Sequence, residues 1–235
     1  MALALGARYR EFESLHHDHH NIIMIKKHRI AILTSTYNTD MFKLDRCIRS
    51  VQWQTYGIDN IDHYICHDGP NADKQAEMLE YFKNNNWQNV KYFQLSENTN
   101  SYGASIRQFL LDTAVTNYKY VVHLDDDNLL FPEFVQEHYN VLEQEVDCDF
   151  SVCKIVHLGP LPEHLLPAPA IISGIPPVFR NIDTLQVMVK TQAMRECKWD
   201  QRVGRDGYFN DGYTYDRLGK MYKWAEVSKL LAIHL

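Results

Sequence analysis

The chain contains 235 residues, of which 45% are apolar and 23% are charged, and these fractions are typical of a globular protein with a core of ordinary size. Its net charge of −6, without any run of Lys or Arg, argues against nucleic acid as a partner. No stretch approaches the roughly 20 apolar residues of a membrane-spanning helix, which leaves only peripheral membrane contact open. The five cysteines include no C-x-x-C pair, so they indicate buried thiols in a reducing compartment rather than a disulfide framework.

The first 23 residues differ in character from the rest of the chain. They include the His-rich run 16–20, and a natural start follows at Met24. We predict that residues 1–23 are an expression leader or a disordered extension, and they are left out of the predicted fold. A native metal-binding extension is the alternative. The predicted folded domain spans residues 24–235.

The first half of this domain alternates between predicted strands and helices. Short apolar runs predict the strands, and amphipathic spacing predicts the helices. Strands are predicted at 29–34, 61–66, 90–95 and 120–124, and helices from a cap at Thr39 or Asp40, at 73–84, at 102–117 and from Pro132. This alternation indicates an α/β fold with a parallel sheet and helices on both faces.

The second half is less regular. Strands are predicted at 149–156 and 185–189, and a short helix is predicted to close the chain. Segment 158–177 holds six of the eight prolines, which argues against a helix or a central strand and predicts a long ordered loop that lines a pocket. The domain therefore divides into a nucleotide-binding half, 24–132, and an elaborated half, 133–235.

Three carboxylates, Asp125-Asp126-Asp127, follow directly on the apolar run 120–124. Open α/β sheets bind their ligands at the carboxyl ends of the strands. Adjacent carboxylates repel one another unless a cation compensates them, and oxygen ligands suit Mg²⁺ or Mn²⁺, which commonly hold substrate phosphates as well. A metal site is therefore predicted here, and an Asp-rich polar turn is the alternative.

Three further motifs occur in order ahead of the acids. They are Thr34-Ser35-Thr36-Tyr37-Asn38, His67-Asp68-Gly69-Pro70, and the segment from Asn100 to Arg107 at a helix start. Together with the acids, they resemble the motifs of glycosyltransferase family 2. The resemblance implies the GT-A fold, which has a Rossmann-like, mostly parallel central sheet, helices on both faces and an elaborated C-terminal acceptor half.

The resemblance assigns the donor nucleoside to the first two motifs. Ser35 and Tyr37 would contact the base, with the Tyr37 ring as a stacking platform. Asp68 would accept a hydrogen bond from the imide N–H of uracil or thymine. His67 stands where the family usually has an acid, so a guanine base is not excluded.

The resemblance assigns the diphosphate to the third motif and the acids. Gly103 would let the backbone turn closely into a helix, whose N-terminus favours phosphate, and Arg107 would pair with the nucleotide. Asp127 would be the main metal ligand. Asp125 and Asp126 would hold the ribose hydroxyls or a metal-bound water.

An inverting transfer also needs a carboxylate that takes the proton of the acceptor hydroxyl. In the family this carboxylate begins a helix in the second half, and the segment around Asp211 is similar to that motif. Asp211 is therefore the implied base and Asp206 the competing candidate. A helix N-cap is the alternative role of Asp211. His234 stands where some GT-A enzymes recruit a metal ligand, but a terminal His is expected to be solvated.

The predicted function is a metal-dependent, inverting transfer of a single sugar from a UDP- or dTDP-sugar to a hydroxyl of a carbohydrate or glycoconjugate acceptor. Mn²⁺ or Mg²⁺ is the expected cofactor, and polysaccharide or glycoconjugate assembly in the cytoplasm is the expected setting. Segment 158–177 and Trp199 are expected to shape the acceptor side. The alternatives are a catalytically inactive sugar-nucleotide-binding module, a metal-dependent phosphohydrolase and a sugar nucleotidyltransferase, although residues 34–40 lack the Gly-rich basic loop of the last class.

Overall fold

A computed structural model describes the backbone of residues 26–159 and 170–235, and the predicted leader 1–23 lies outside this range. The strands in the described ranges are β1 (Lys26–Thr36), β2 (Ile61–His67), β3 (Val90–Gln94), β4 (Tyr118–Asp125), β5 (Leu129–Leu130), β6 (Phe150–His157), β7 (Ala170–Ile172), β8 (Val187–Lys190) and β9 (Trp224–His234). The helices there are α1 (Met41–Gln52), α2 (Ala72–Asn85), α3 (Ala104–Thr113), α4 (Phe134–Gln144), α5 (Thr191–Cys197) and α6 (Asn210–Met221). None of these helices is both long and apolar enough to cross a membrane.

The nine described strands form one sheet in the order β3-β2-β1-β4-β8-β6-β9-β5, with β7 paired to β6. Pairing is parallel between β3, β2, β1 and β4, and again between β6 and β9. The strand β8 runs antiparallel to both β4 and β6, so β6 and β9 point the same way as β4. The mostly parallel sheet predicted from the sequence is therefore confirmed.

Strand β1 lies inside the sheet and is covered on both faces. Ala31 and Leu33 pack with residues of α3 and α6, whereas Ile30 and Ile32 pack with residues of α1 and α4. All four side chains are completely buried. A strand buried on both faces requires a nearly continuous apolar run, and this requirement explains why the sequence of β1 does not alternate. Helices on both faces are confirmed.

Local capping decides where the first two helices begin and end. Asp40 is the cap of α1, because its carboxylate accepts a hydrogen bond from the Lys43 backbone N–H at 2.9 Å. Thr39, the other predicted cap, donates its hydroxyl to Asp126 instead. Helix α2 ends where Asn86 takes a left-handed backbone conformation with φ of 55°.

The C-terminal segment corrects the sequence-based prediction. The predicted closing helix is wrong, because residues 224–234 form β9, which inserts between β6 and β5. The proline-rich segment 158–177 also contains a strand, β7, which pairs with β6 alone. Residues 160–169 of that segment lie outside the described residues. Helix α5 was not predicted, and α3 is shorter than the predicted range 102–117.

The strand directions bring the carboxyl ends of six strands, β1, β2, β3, β4, β6 and β9, to one edge of the sheet. At the end of β1, Ser35 lies opposite Asp125 of β4, and Thr36 lies opposite His67 of β2. The parallel strands β6 and β9 end with His157 opposite His234. Because β6 and β9 run in the same direction as β4, this second pair of ends faces the same side as the first.

The packing predicts a contrast between two phenylalanines. Phe134 is completely buried in the core on the α1 and α4 face, whereas Phe42 is 71% exposed. We expect Phe134→Ala to lower the free energy of unfolding by about 3–5 kcal/mol, because it removes buried apolar surface and leaves a cavity. Phe42→Ala should change it by less than about 0.5 kcal/mol. Urea denaturation followed by circular dichroism measures both, and equal losses would contradict the described core.

Candidate active site

A cavity of about 630 Å³ opens at the carboxyl edge of the sheet. It is lined by residues of both halves of the chain. Nine residues to which the sequence assigned a binding, metal or catalytic role contribute to the lining: Ser35, Tyr37, Asp68, Gly103, Arg107, Asp125, Asp126, Asp127 and Asp211. These residues are spread over more than two thirds of the sequence and meet only in the folded chain.

The residues predicted to bind the nucleoside combine an open ring with a buried acid. Tyr37 is 56% exposed, which leaves its ring accessible from the cavity. Asp68 is buried, and its Oδ1 accepts hydrogen bonds from the backbone N–H and the hydroxyl of Thr99 at 2.8 and 2.9 Å. His67, which replaces the expected acid, is buried and donates from Nδ1 to the Gly69 carbonyl at 2.8 Å. His67 therefore stabilises the turn through this hydrogen bond.

The start of α3 packs tightly against the end of β1. Gly103 has a φ of 81°, and a Cβ at this position would overlap the Ser35 side chain, with its Cβ only 2.9 Å away. Both observations require glycine here. Arg107, one turn later, is buried and forms an ion pair with Asp125. Its guanidinium also lies 4.8 Å from the centre of the Trp199 ring. Arg107 is thus held in place before any nucleotide binds.

The three acids of the triplet have different contacts. Asp125 is paired with Arg107, whereas Asp126 accepts a hydrogen bond from Thr39. Burial, together with the charges of its two neighbours, raises the pKa of Asp126 to about 6. Burial and the charge of Asp125 also raise the pKa of Asp127. A cation in the cavity would therefore stabilise the ionised forms of Asp126 and Asp127 most.

The donor atoms fit a magnesium or manganese ion that shares its ligands with a substrate. Asp126 and Asp127 offer carboxylate oxygens, which these cations prefer. Within the described ranges, no three His, Cys, Asp or Glu side chains are arranged to hold an ion by themselves. Mg²⁺ is commonly bound through one or two carboxylates plus substrate phosphates and waters. The residues present match that kind of site rather than an all-protein cage.

A partly buried ion pair that the sequence did not reveal also lines the cavity. His234 Nδ1 is 2.9 Å from Asp183 Oδ2, and its ring stacks on His157 with centroids 4.0 Å apart. Burial alone would lower the pKa of His234, but the hydrogen bond and charge of Asp183 raise it to about 9. The expectation that His234 is simply solvated is therefore wrong. Its partner is 51 residues away in sequence, so no spacing pattern could have shown it.

Asp211 lies in the first turn of α6 and lines the same cavity as the residues predicted to bind the nucleoside. A 3-10 turn, Gly204–Phe209, leads directly into this helix, and the cap position belongs to Phe209. The alternative role of Asp211 as an N-cap is therefore wrong. Burial and the nearby charge of Asp183 raise the pKa of Asp211 to about 7. The competing candidate Asp206 lies in the 3-10 turn, and the structure does not describe its side chain.

One residue that was expected to shape the acceptor side, Trp199, lies elsewhere. Trp199 is buried, with its ring against His123 and Tyr215, and it does not line the cavity. The described part of segment 158–177 contributes Ile172 to the lining. Further lining on this side comes from four residues that were not predicted: Phe179, Arg180, Tyr208 and Phe209.

A mostly parallel sheet with helices on both faces and an acidic cavity at its carboxyl edge is the architecture of a GT-A glycosyltransferase. The sequence comparison identifies the family. Residues 31–199 match the family described as glycosyl transferase family 2, and the chain belongs to that family. No curated protein sequence matches the chain.

Solved structures with the same fold include TarS of S. aureus. The crystal structure of TarS residues 1–349 has a TM-score of 0.66 and 14% identity, with 88% of this chain and 60% of that chain covered. The same segment of TarS in complex with UDP-GlcNAc gives a TM-score of 0.67 and 15% identity, with 87% and 58% covered. This chain thus spans less than two thirds of those proteins, and identities this low establish the fold alone.

The contact between Gly103 and Ser35 predicts a loss of stability on substitution. Gly103→Ala should lower the free energy of unfolding by more than about 2 kcal/mol, because it adds steric overlap to a left-handed backbone. Gly204 provides the control, since its φ is 63° but no described atom lies within 4 Å of its Cβ position. Gly204→Ala should cost only the backbone strain of about 1–2 kcal/mol. Equal losses in urea denaturation would contradict the close approach.

The raised pKa of Asp211 predicts that its substitution increases the stability of the fold in a pH-dependent way. Between its ordinary value of 3.8 and about 7, the folded state holds more protons at Asp211 than the unfolded state does, so the stability contribution of Asp211 falls as the pH rises through this range. Asp211→Asn should therefore raise the melting temperature above that of the wild type at pH 8 and change it little at pH 4.

Asp216, five positions later in the same helix, is the matched control. Its hydrogen bond from Lys220 lowers its pKa, so Asp216→Asn should not raise the melting temperature at pH 8. Differential scanning fluorimetry across pH 4–8 measures both variants. A gain for Asp211→Asn that is the same at every pH would contradict a raised pKa.

Proposed function

We propose that the protein transfers a sugar from a nucleoside diphosphate donor to an acceptor hydroxyl, with inversion at the anomeric carbon and Asp211 as the base. One observation carries the proposal. The nucleoside residues, the acid triplet and a carboxyl whose pKa lies near neutrality line the same cavity. Carboxyls with raised pKa values in a cleft are characteristic of general acid–base catalysis.

The nucleoside would bind between Tyr37 and Asp68. The exposed Tyr37 ring offers a face for the base. Thr99 occupies Oδ1 of Asp68, so Oδ2 is the atom that would accept a hydrogen bond from the imide N–H of uracil or thymine. TarS, which has the same fold, has been crystallised with UDP-GlcNAc and with UDP. A UDP- or dTDP-sugar is therefore the proposed donor.

Asp127, with Asp126 beside it, would hold the cation at the diphosphate. A bound Mg²⁺ or Mn²⁺ supplies positive charge where the leaving group gains negative charge. Arg107, in the first turn of helix α3, keeps Asp125 in place through their ion pair. The helix start itself presents backbone N–H groups and a favourable dipole to a phosphate.

Asp211 would take the proton of the acceptor hydroxyl as its oxygen attacks the anomeric carbon. The new carbon–oxygen bond forms on the face opposite the bond that breaks, and the electron pair of the broken bond leaves with the diphosphate. A base works best when its pKa lies near the operating pH, and the pKa of about 7 at Asp211 meets that condition. The cytoplasmic location expected from the family stays a prediction.

The donor site can be tested without knowing the acceptor. UDP, dTDP, GDP and CDP are each added to the full chain with and without Mn²⁺, and the melting temperature is measured. A ligand that binds only the folded state raises this temperature by mass action. We expect the largest shift with UDP or dTDP, and a larger shift with Mn²⁺ than without it. No shift with any nucleotide would overturn the proposed function.

Two variants separate metal binding from catalysis. Asp127→Asn should lose the Mn²⁺-dependent part of the UDP shift. Asp211→Asn should keep that shift but reduce sugar transfer by at least about 100-fold, because it removes the base alone. Asp216→Asn should leave both unchanged. If Asp211→Asn changes no measurable activity, the chain is a sugar-nucleotide-binding module rather than an enzyme that uses this base.

A further inference from the structure

Four aromatic side chains form a continuous wall on one side of the cavity. This aromatic wall consists of Tyr102, Phe179, Tyr208 and Phe209, all of which line the cavity. Tyr102 is 55% exposed, Tyr208 62% and Phe209 37%. Aromatic rings that stay this exposed next to a cavity lose the free energy that burial would provide, and such patches commonly mark a binding surface.

The rings contact one another edge to face. The centroids of Tyr102 and Tyr208 are 6.0 Å apart at an interplanar angle of 89°, and those of Tyr208 and Phe209 are 5.1 Å apart at 85°. Phe209 meets Phe179 at 5.8 Å and 70°. In this arrangement the edge of one ring covers a face of the next, and other faces stay accessible. The wall therefore offers apolar ring faces rather than a closed aromatic core.

The wall is held from behind by contacts that fix its shape. Phe179 stacks on Tyr213 with centroids 4.5 Å apart, and a Cβ at Gly212 would lie 2.9 Å from the Phe179 ring. A Cβ at Gly207 would lie 3.1 Å from the ring of Tyr102. Two of the four rings, Tyr102 and Phe179, thus rest against backbone positions without a side chain. A surface fixed before binding loses little entropy when a ligand arrives.

The wall lies directly beside the proposed base. Phe209 precedes Asp211 by two residues, and Phe179 packs against Gly212, the residue that follows Asp211. Because these rings and Asp211 line the same cavity, a ligand lying on the rings would share that cavity with the Asp211 carboxylate. A pyranose ring suits both groups, since its C–H faces are apolar and its hydroxyls project from the rim.

We propose that the aromatic wall is the acceptor subsite and that the acceptor group it binds is a pyranose ring, placed with a C–H face on one of the exposed rings and a hydroxyl toward Asp211. The inference rests on the proposed function and narrows it. A linear polyol or a peptide hydroxyl has no comparable apolar face, so neither can stack on an aromatic ring in this way.

Saturation-transfer NMR on the full chain with UDP and Mg²⁺ tests this subsite. The probes are methyl β-D-glucopyranoside, methyl β-D-galactopyranoside and, as a linear control, ribitol. We expect saturation of the ring protons of at least one pyranoside, several-fold above that of ribitol. The double variant Tyr208→Ala/Phe209→Ala should reduce it several-fold. Trp53→Ala, which removes an aromatic ring that is 67% exposed outside the cavity, should not.

Two further measurements separate the possible failures. The double variant should keep the UDP-dependent melting shift, and Tyr208→Phe with Phe209→Tyr should restore the saturation, because these changes retain the rings. Equal saturation of ribitol and pyranosides, or unchanged saturation in the double variant, would overturn the acceptor subsite while leaving the donor site intact. Loss of the UDP shift in the double variant would assign the wall to the nucleotide instead. Absence of any nucleotide shift in the wild type would overturn the proposed function, and this inference with it.

Discussion

The site depends on how the fold balances negative charge at one edge of its sheet. Six carboxylates lie around one cavity, at Asp68, Asp125, Asp126, Asp127, Asp183 and Asp211. Carboxylates that are close together and partly removed from water destabilise a fold unless positive charge accompanies them. Arg107 pairs with Asp125, and His234 pairs with Asp183. These two ion pairs compensate part of the negative charge that the two halves of the chain bring to the same edge of the sheet.

The same charge balance explains the state of three of the remaining acids. Asp126, Asp127 and Asp211 have no basic side chain within ion-pair distance in the described part of the chain, and their pKa values are raised. A carboxyl in this state is stabilised by anything that brings a cation or a proton. The paired acids therefore maintain the architecture, whereas the unpaired acids are suited to a metal-bound diphosphate and to a hydroxyl that loses its proton.

The sequence was sufficient where structure is decided locally. The apolar runs of β1, β2 and β4 and the motifs at their ends predicted both the sheet and the meeting of the motif residues at one cavity, because parallel strands bring their carboxyl ends together whatever lies between them. It was insufficient for β9, whose side chains do not alternate cleanly and whose register with β6 shifts near Lys154. The ion pair of His234 with Asp183 depends on that register, so it could not be predicted. Trp199 was misplaced because its partners Arg107 and His123 come from distant segments.

One buried side chain connects the donor side of the cavity with the acceptor side. The Asn210 amide donates to the Ser101 carbonyl at 3.2 Å and to the Arg202 carbonyl at 2.8 Å, and its own oxygen accepts from the Arg202 backbone N–H. Ser101 lies two residues before Gly103, and Asn210 immediately precedes Asp211. The distance between the start of α3 and the proposed base is therefore set by a direct contact rather than by the sum of many strand and loop geometries. An in-line transfer requires such a fixed separation, because the acceptor oxygen must approach the anomeric carbon from the face opposite the diphosphate.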